Sequence, residues 1–194
     1  VKEAGAKAIL NKPVNRDALV GVLDADTALH IPDFRAAERT FQLVSQVAGR
    51  AGRSTLPGRV IIQTMNPDSL PITLAAAHDY PTFAAAELAT RMRSRLPPAA
   101  RLARIVCRDE DDRKARDRAA ELADALRTIA GDTALVRGPA PCPISRIANH
   151  YRYAIDVLAP KAGVLQHALA AARARGLLKS DAKTAVDVDP VALM

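Results

Sequence analysis

The sequence contains no tryptophan, and only three tyrosines and three phenylalanines occur among its 194 residues. So few aromatic side chains argue against a broad surface on which nucleic-acid bases stack. No apolar run approaches the roughly 20 residues that a membrane-spanning helix requires. The first residues also lack the charged, apolar and small-residue segments of a secretory signal. We therefore expect a cytoplasmic protein without a membrane partner.

Cysteine is also scarce, since Cys107 and Cys142 are the only two. They do not form a Cys-x-x-Cys pair, and a structural zinc site takes four ligands. We predict two buried thiols and no metal site. The sequence also lacks a Gly-x-x-x-x-Gly-Lys-Ser/Thr phosphate loop, which nucleotide hydrolases of this type need to hold ATP and Mg²⁺. We expect the chain alone to bind neither and to be inactive as an ATP hydrolase.

What the sequence does contain is an excess of cations, with 28 Lys and Arg against 21 Asp and Glu and a net charge of +7. Such an excess favours polyanionic partners, nucleic acid first. A general preference for arginine in the source genome explains the charge equally well. If the chain contacts DNA, the contacts should run mainly through phosphates.

The first third of the chain has the pattern of a parallel α/β unit. Residues 19–24 form a short apolar run that ends in Asp24, which is typical of a buried strand opening onto a site. A helix is predicted to begin near Pro32-Asp33 and to end at Gly49 and Gly52. Residues 59–64 form the next strand. Residues 67–100, with two alanine-rich helical stretches, are predicted to connect two domains.

Residues 101–194 predict the order β-α-β-β-α-β. Alternating apolar residues mark strands at 101–108 and 151–157, and helical stripes follow at 115–129 and 161–175, with Gly131 and Gly176 as stops. Residues 133–137 and 184–188 are the other two strands, and the proline-rich segment 138–143 is predicted to be a loop. This order is the split βαβ, or ferredoxin-like, arrangement, with both helices on one face of an antiparallel sheet.

Residues 46–53 (Gln-Val-Ala-Gly-Arg-Ala-Gly-Arg) carry the chemistry. Arg50 and Arg53 lie three positions apart at a predicted helix end, and Gly49 allows close approach of a backbone. Guanidinium groups bind phosphate oxygens in two-point fashion, and an arginine finger stabilises a phosphoryl group in transfer. A basic helix end that complements the helix dipole is the alternative. Asp24 and Asp26 either sense a nucleotide or cap the strand end.

These residues resemble the primosomal protein N prime family, the replication-restart DNA helicases of superfamily two. The matching segments are 20–30, 32–43, 46–53, 60–64, 66–67, 138–141, 151–153 and 187–190. The resemblance implies an α/β fold in which a truncated RecA-like lobe (19–66) precedes an α+β ferredoxin-like domain (101–194). It implies that Arg50 and Arg53 are catalytic. Gln46, Gly49, Arg50, Arg53 and Asp24 would face ATP, which the full-length protein binds with Mg²⁺.

The resemblance also implies partners. The family's C-terminal domain contacts branched or forked DNA, single-stranded DNA-binding protein and other primosome proteins. An arginine on the family's last helix holds the acidic tail of single-stranded DNA-binding protein, and the matching position here is Ala162, beside Lys161, with Gln166 kept. The family's zinc insertion has no counterpart in this sequence. The implied function is a fragment of an ATP-dependent 3′–5′ helicase that restarts stalled forks, and the alternative is a freestanding DNA- or protein-binding module.

Residues 1–18 depart from the family pattern. The segment that ends in Asn11-Lys12-Pro13 resembles the tail of a response-regulator receiver domain, in which a lysine reaches the phosphoacceptor aspartate. The receiver's acidic pocket is missing from the sequence, so Lys12 has no evident partner there. A gene fusion, a misjoined reading frame and a diverged helicase motif all account for this segment.

Overall fold

The computed structural model describes residues 7–10, 19–22, 24–51, 59–179 and 181–193. The chain divides into two compact units, residues 1–89 and 90–194. No helix among the described residues is both long and apolar enough to cross a membrane. The two units are taken in turn below.

The first unit contains a three-stranded sheet in the order β1-β3-β2. β2 and β3 pair in parallel, as the sequence predicts, and β1 adds an antiparallel edge from the N-terminal segment. Lys12 lies outside the described residues. The elements are β1 (Lys7–Leu10), β2 (Leu19–Val22), α1 (Ala25–Leu29), α2 (Ala36–Ala51), β3 (Arg59–Gln63), α3 (Leu70–Ala76) and α4 (Tyr80–Arg93).

The core of this unit draws on more of the chain than the two strands and α2. Phe41 of α2 stacks on Phe83 of α4 with ring centroids 4.3 Å apart. Ile72 of α3 is completely buried in the same cluster as Val44 and Ile62. Residues 67–89 therefore pack into the first unit, whereas the sequence predicted that 67–100 is a connector. Alanine-rich helices show little amphipathic pattern, so the few large apolar residues in this segment did not indicate that the helices pack against a core.

The second unit is an α/β fold on an antiparallel four-stranded sheet in the order β5-β6-β4-β7. The predicted β-α-β-β-α-β order is confirmed. Its elements are β4 (Arg101–Asp109), α5 (Asp112–Ala130), a short 3-10 turn (Gly131–Thr133), β5 (Leu135–Ile147), β6 (His150–Ala159), α6 (Ala162–Ala174) and β7 (Thr184–Val188).

Both helices lie on one face of this sheet, as predicted. Leu126 of α5 and Leu169 of α6 join Ile105 and Ile155 of the central strands in a single buried cluster. Each fully buried side chain of this size contributes roughly 1.5–3 kcal/mol. Gly131 ends α5 with φ of +49°, a conformation that glycine adopts at low cost.

The predicted loop at 138–143 is wrong, because β5 continues through it to Ile147. Three prolines in this segment suggested a break. β5 is an edge strand, however, and its pairing with β6 shifts register between Arg137 and Ala140 and again between Pro141 and Arg146. An edge strand with bulges tolerates proline, because the missing N–H groups need not bond to a neighbour.

Gly138 sits at the first of these irregularities, with φ of +96°. A Cβ atom at this position would lie 2.6 Å from the Ala154 carbonyl oxygen. At Gly163, in the first turn of α6, a Cβ would meet no atom within 4 Å. The backbone therefore requires glycine at position 138 but has room for a larger residue at position 163.

Gly138→Ala is expected to lower the free energy of unfolding by about 2 kcal/mol or more, through backbone strain and the clash with Ala154. Gly163→Ala should raise it by up to about 1 kcal/mol, since alanine loses less entropy in a helix. Urea unfolding followed by far-ultraviolet circular dichroism measures both. Equal effects of the two substitutions would contradict this account of β5.

Candidate functional site

α2 carries most of the predicted site, and its buried side anchors it to the first unit. Thr40, Phe41, Val44 and Ala48 are buried at helical spacing. Before the helix, Asp33 accepts a hydrogen bond from the Arg35 amide at 2.9 Å, and its side chain forms an ion pair with Arg39 at 3.1 Å. These contacts fix where the helix begins.

Gly49 does not end the helix as predicted, because α2 continues to Ala51. The buried face on the preceding turns holds the helix through this glycine despite its low propensity. Gly52, the other predicted stop, lies outside the described residues. The predicted arginine pair thus begins inside the last helical turn.

Two of the predicted site residues lie on the outward side of α2. Gln46 and Gly49 are three positions apart and share a helix face, and Arg50 follows them in the same helix. Gln46 and Gly49 are both exposed. A Cβ built on Gly49 would meet no atom within 4 Å, so the backbone here is open to approach. Arg53 lies outside the described residues.

Asp24 is separate from this group. It follows the end of β2 with φ of +55°, is exposed, and accepts a hydrogen bond of 2.5 Å from the Thr27 hydroxyl. A connection between parallel strands leaves one strand at its carboxyl end and enters the next at its amino end. Asp24 begins that connection between β2 and β3, and Arg50 lies near its end.

Asp26 has a structural role, which settles one of the two alternatives for this residue. Its carboxylate is buried and accepts hydrogen bonds from the Thr64 hydroxyl at 2.9 Å and the Met65 amide at 2.6 Å. Burial by itself would raise the pKa of Asp26, but these two donors hold it below its ordinary value of 3.8. The carboxylate ties the start of α1 to the end of β3. The sequence identified Asp26 as a candidate but not Thr64, its partner 38 positions away.

Asp26→Asn is expected to destabilise the first unit by about 1–3 kcal/mol, because an amide accepts at one oxygen only and leaves one of the two buried donors unpaired. Hydrogen exchange of the Met65 amide should become faster. Asp24→Asn is the matched control. It should change stability by no more than about 0.5 kcal/mol, because the site is exposed and asparagine tolerates positive φ.

The pH dependence follows from the lowered pKa of Asp26. A carboxyl group with a lower pKa in the folded state stabilises the fold above its unfolded pKa, and this stabilisation disappears as the pH falls through the folded pKa. The stability difference between wild type and Asp26→Asn should therefore shrink as the pH falls below about 4. A difference that stays constant down to acid unfolding would contradict an ionised Asp26.

The cysteines and histidines offer no reactive centre among the described residues. Cys107 and Cys142 are buried free thiols, as predicted. Burial raises the pKa of the Cys107 thiol to about 11 and raises that of Cys142 as well, so both thiols stay protonated near neutral pH. No group of three potential metal ligands occurs in the described part of the chain.

Several cations of the second unit lie on the sheet and at the end of the last helix. Arg146 lies over the ring of Tyr151, 4.8 Å from its centroid, and Arg152 donates to the Ile144 carbonyl oxygen at 3.3 Å. Arg173 and Arg175 are exposed at the end of α6. The sequence makes all four candidates for phosphate contacts, with solvated faces of a basic domain as the alternative. Arg108 is a further exposed arginine, on β4 of the same sheet.

Sequence comparisons bear on both units. The family described as Primosomal protein N C-terminal domain matches residues 92–191. The chain is 49% identical over 135 residues to the Replication restart protein PriA of Bacillus subtilis (strain 168), which is 70% of this chain and 17% of that protein.

The proteins of the same name from Treponema pallidum (strain Nichols) and Synechocystis sp. are 45% and 36% identical, over 89% and 90% of this chain. The chain spans 26% and 21% of their lengths. The match at 92–191 covers nearly all of the second unit and more than half of the chain. The chain belongs to the primosomal protein N C-terminal domain family.

Proposed function

We propose that the chain is the C-terminal part of a replication-restart DNA helicase and supplies two of that machine's components. The first is the arginine-bearing end of the second motor lobe. The second is a DNA-contacting domain formed by residues 101–194. The observation that carries the proposal is the outward face of α2, where Gln46 and Gly49 are exposed on a helix whose other face is buried and which continues through Arg50.

The motor component requires a RecA-like fold in the first unit. The parallel β2–β3 pair and the helices between these strands support such a fold. In the proposed arrangement Arg50 and Arg53 approach the γ-phosphate of ATP and stabilise the charge that develops in phosphoryl transfer. Gln46 lies one turn earlier in the same helix, and Gly49 leaves room for the phosphates to approach. Asp24, which follows β2 at the start of the connection, would sense the bound nucleotide.

ATP and Mg²⁺ would be held mainly by the other motor lobe. A phosphate loop and an acidic Mg²⁺ ligand are required for hydrolysis, and these 194 residues contain no phosphate loop. The chain by itself therefore contributes half of a catalytic site. It becomes part of an ATP hydrolase only when the other half is present.

The second unit would have the ferredoxin-like arrangement, which its strand order β5-β6-β4-β7 supports. We propose that it binds forked DNA, and that other primosome proteins and single-stranded DNA-binding protein contact it. Lys161, Ala162 and Gln166 are all exposed at the start of α6. Alanine at 162 leaves Lys161 as the only cation in this group, so an acidic tail should be held less firmly here than by an arginine fork.

A freestanding binding module is the alternative. The second unit has its own buried core and its own four-stranded sheet, which supports independent folding. Such a module would bind DNA or a protein without any contribution to ATP hydrolysis. The two proposals differ in whether Arg50 and Arg53 matter for the function.

The chain is expected to bind forked DNA. The logarithm of the binding constant should fall linearly with the logarithm of the salt concentration, because phosphate contacts release counterions. Fluorescence anisotropy of a labelled fork, at about 50 mM and 200 mM salt, measures this. Blunt duplex of the same length is the control and should bind more weakly. Loss of all binding even at low salt would refute the DNA-contacting role.

A further inference from the structure

The sheet of the second unit has a face that the helices do not cover, and its side chains form rows across the strands. Residues directly opposite each other on paired strands point to the same side. On this face Arg104 pairs with Asp156, with two nitrogen–oxygen contacts of 2.8 Å. The adjoining row contains only small or short apolar side chains: Ala140, Ala154, Val106 and Ala185.

The next row contains two cations. Arg108 of β4 lies directly opposite Arg152 of β6. Each guanidinium is held by a backbone carbonyl, because Arg108 donates to Ala182 and Arg152 donates to Ile144. Neither forms an ion pair within the described part of the chain.

The carboxylates closest along the chain are bound to other cations. Asp109 forms an ion pair with Lys183 at 2.6 Å, and Asp156 is held by Arg104. The two guanidinium groups point away from each other, because Ala182 lies on the β7 side of β4 and Ile144 lies in β5, on the far side of β6. Each guanidinium can therefore contact a separate phosphate of one strand.

We propose that Arg108 and Arg152 form a phosphate-binding site for the backbone of a single nucleic-acid strand that crosses this face of the sheet. This inference rests on the proposed DNA-contacting role of the same unit. The carbonyl contacts orient each guanidinium and leave other N–H donors for phosphate oxygens. The row of small side chains beside the pair lets a sugar-phosphate chain lie close to the sheet.

The aromatic side chains of the sheet lie on its other face, so this site reads phosphates and not bases. Tyr153 lies opposite Cys107, and its hydroxyl donates to Asp112 at the start of α5, 2.9 Å away. Binding on the open face should therefore be independent of sequence and strongly dependent on salt.

The test compares Arg108→Gln/Arg152→Gln with Arg113→Gln/Lys114→Gln in the full chain. Both double variants lose the same charge, but Arg113 and Lys114 lie in the first turn of α5, on the helix side of the sheet. Anisotropy with a fluorescent single-stranded oligonucleotide of mixed sequence should show about tenfold weaker binding for the first variant. Its salt slope should fall by about 1.4, from two phosphate contacts at roughly 0.7 each. The control should bind within about threefold of wild type.

The outcomes separate this inference from the function on which it rests. If wild type binds the oligonucleotide and Arg108→Gln/Arg152→Gln binds as well as the control, the site assignment is wrong and the DNA-contacting role stands. If wild type binds neither oligonucleotide nor fork, both are wrong. The thermal midpoint of Arg108→Gln/Arg152→Gln should lie close to that of wild type, because glutamine keeps an N–H donor for each carbonyl contact. Such a midpoint shows that weaker binding is not caused by misfolding.

Inorganic phosphate distinguishes a strand-binding site from a site for free anions. At matched ionic strength, phosphate should displace the oligonucleotide no better than chloride, because the strand contacts both arginines and the adjoining row. Full displacement by phosphate would assign the site to a free anion. Full displacement by polyglutamate at the same ionic strength would assign it to an acidic protein partner. Either result would overturn the proposal.

Discussion

The pairing of β4 with β6 is the constraint on which the second unit depends. The two strands match residue for residue from Arg101 opposite Ala159 to Asp109 opposite Tyr151. A slip of one residue would move every side chain of one strand to the other face of the sheet. Ile105 and Ile155, both completely buried, would then leave the core, and the cost of exposing them fixes the register.

The same register places charge on the open face. With the core residues fixed on the helix side, Arg104 must lie opposite Asp156 and Arg108 opposite Arg152. The first pair is neutral and bonded at two points, whereas Arg108 and Arg152 each bind only a backbone carbonyl and keep their positive charge on this face. A core requirement thus determines where the sheet can offer a phosphate site. In the first unit, the buried face of α2 likewise determines that Gln46 and Gly49 face outward.

The order of strands and helices in the second unit was predictable, because most of its apolar residues follow strand and helix periods. The length of β5 was not, because its prolines suggest a loop and the sequence does not show that β5 is an edge strand. The predicted helix end at Gly49 was also wrong, because packing of the preceding turns outweighs propensity. Asp26 was a candidate from its position after a strand, but its partner Thr64 is 38 positions away. Contacts of that kind, like the opposition of Arg108 and Arg152, depend on strand pairing that local sequence does not encode.

In the proposed function, this chain supplies the arginine half of a helicase ATP site. A chimaera in which the chain replaces the corresponding C-terminal part of a full-length relative tests this role most directly, through ATP hydrolysis stimulated by forked DNA. We expect an active chimaera, and a loss on the order of 10³-fold in turnover for Arg50→Ala or Arg53→Ala, with DNA affinity unchanged. An active chimaera whose turnover is indifferent to both substitutions would contradict it.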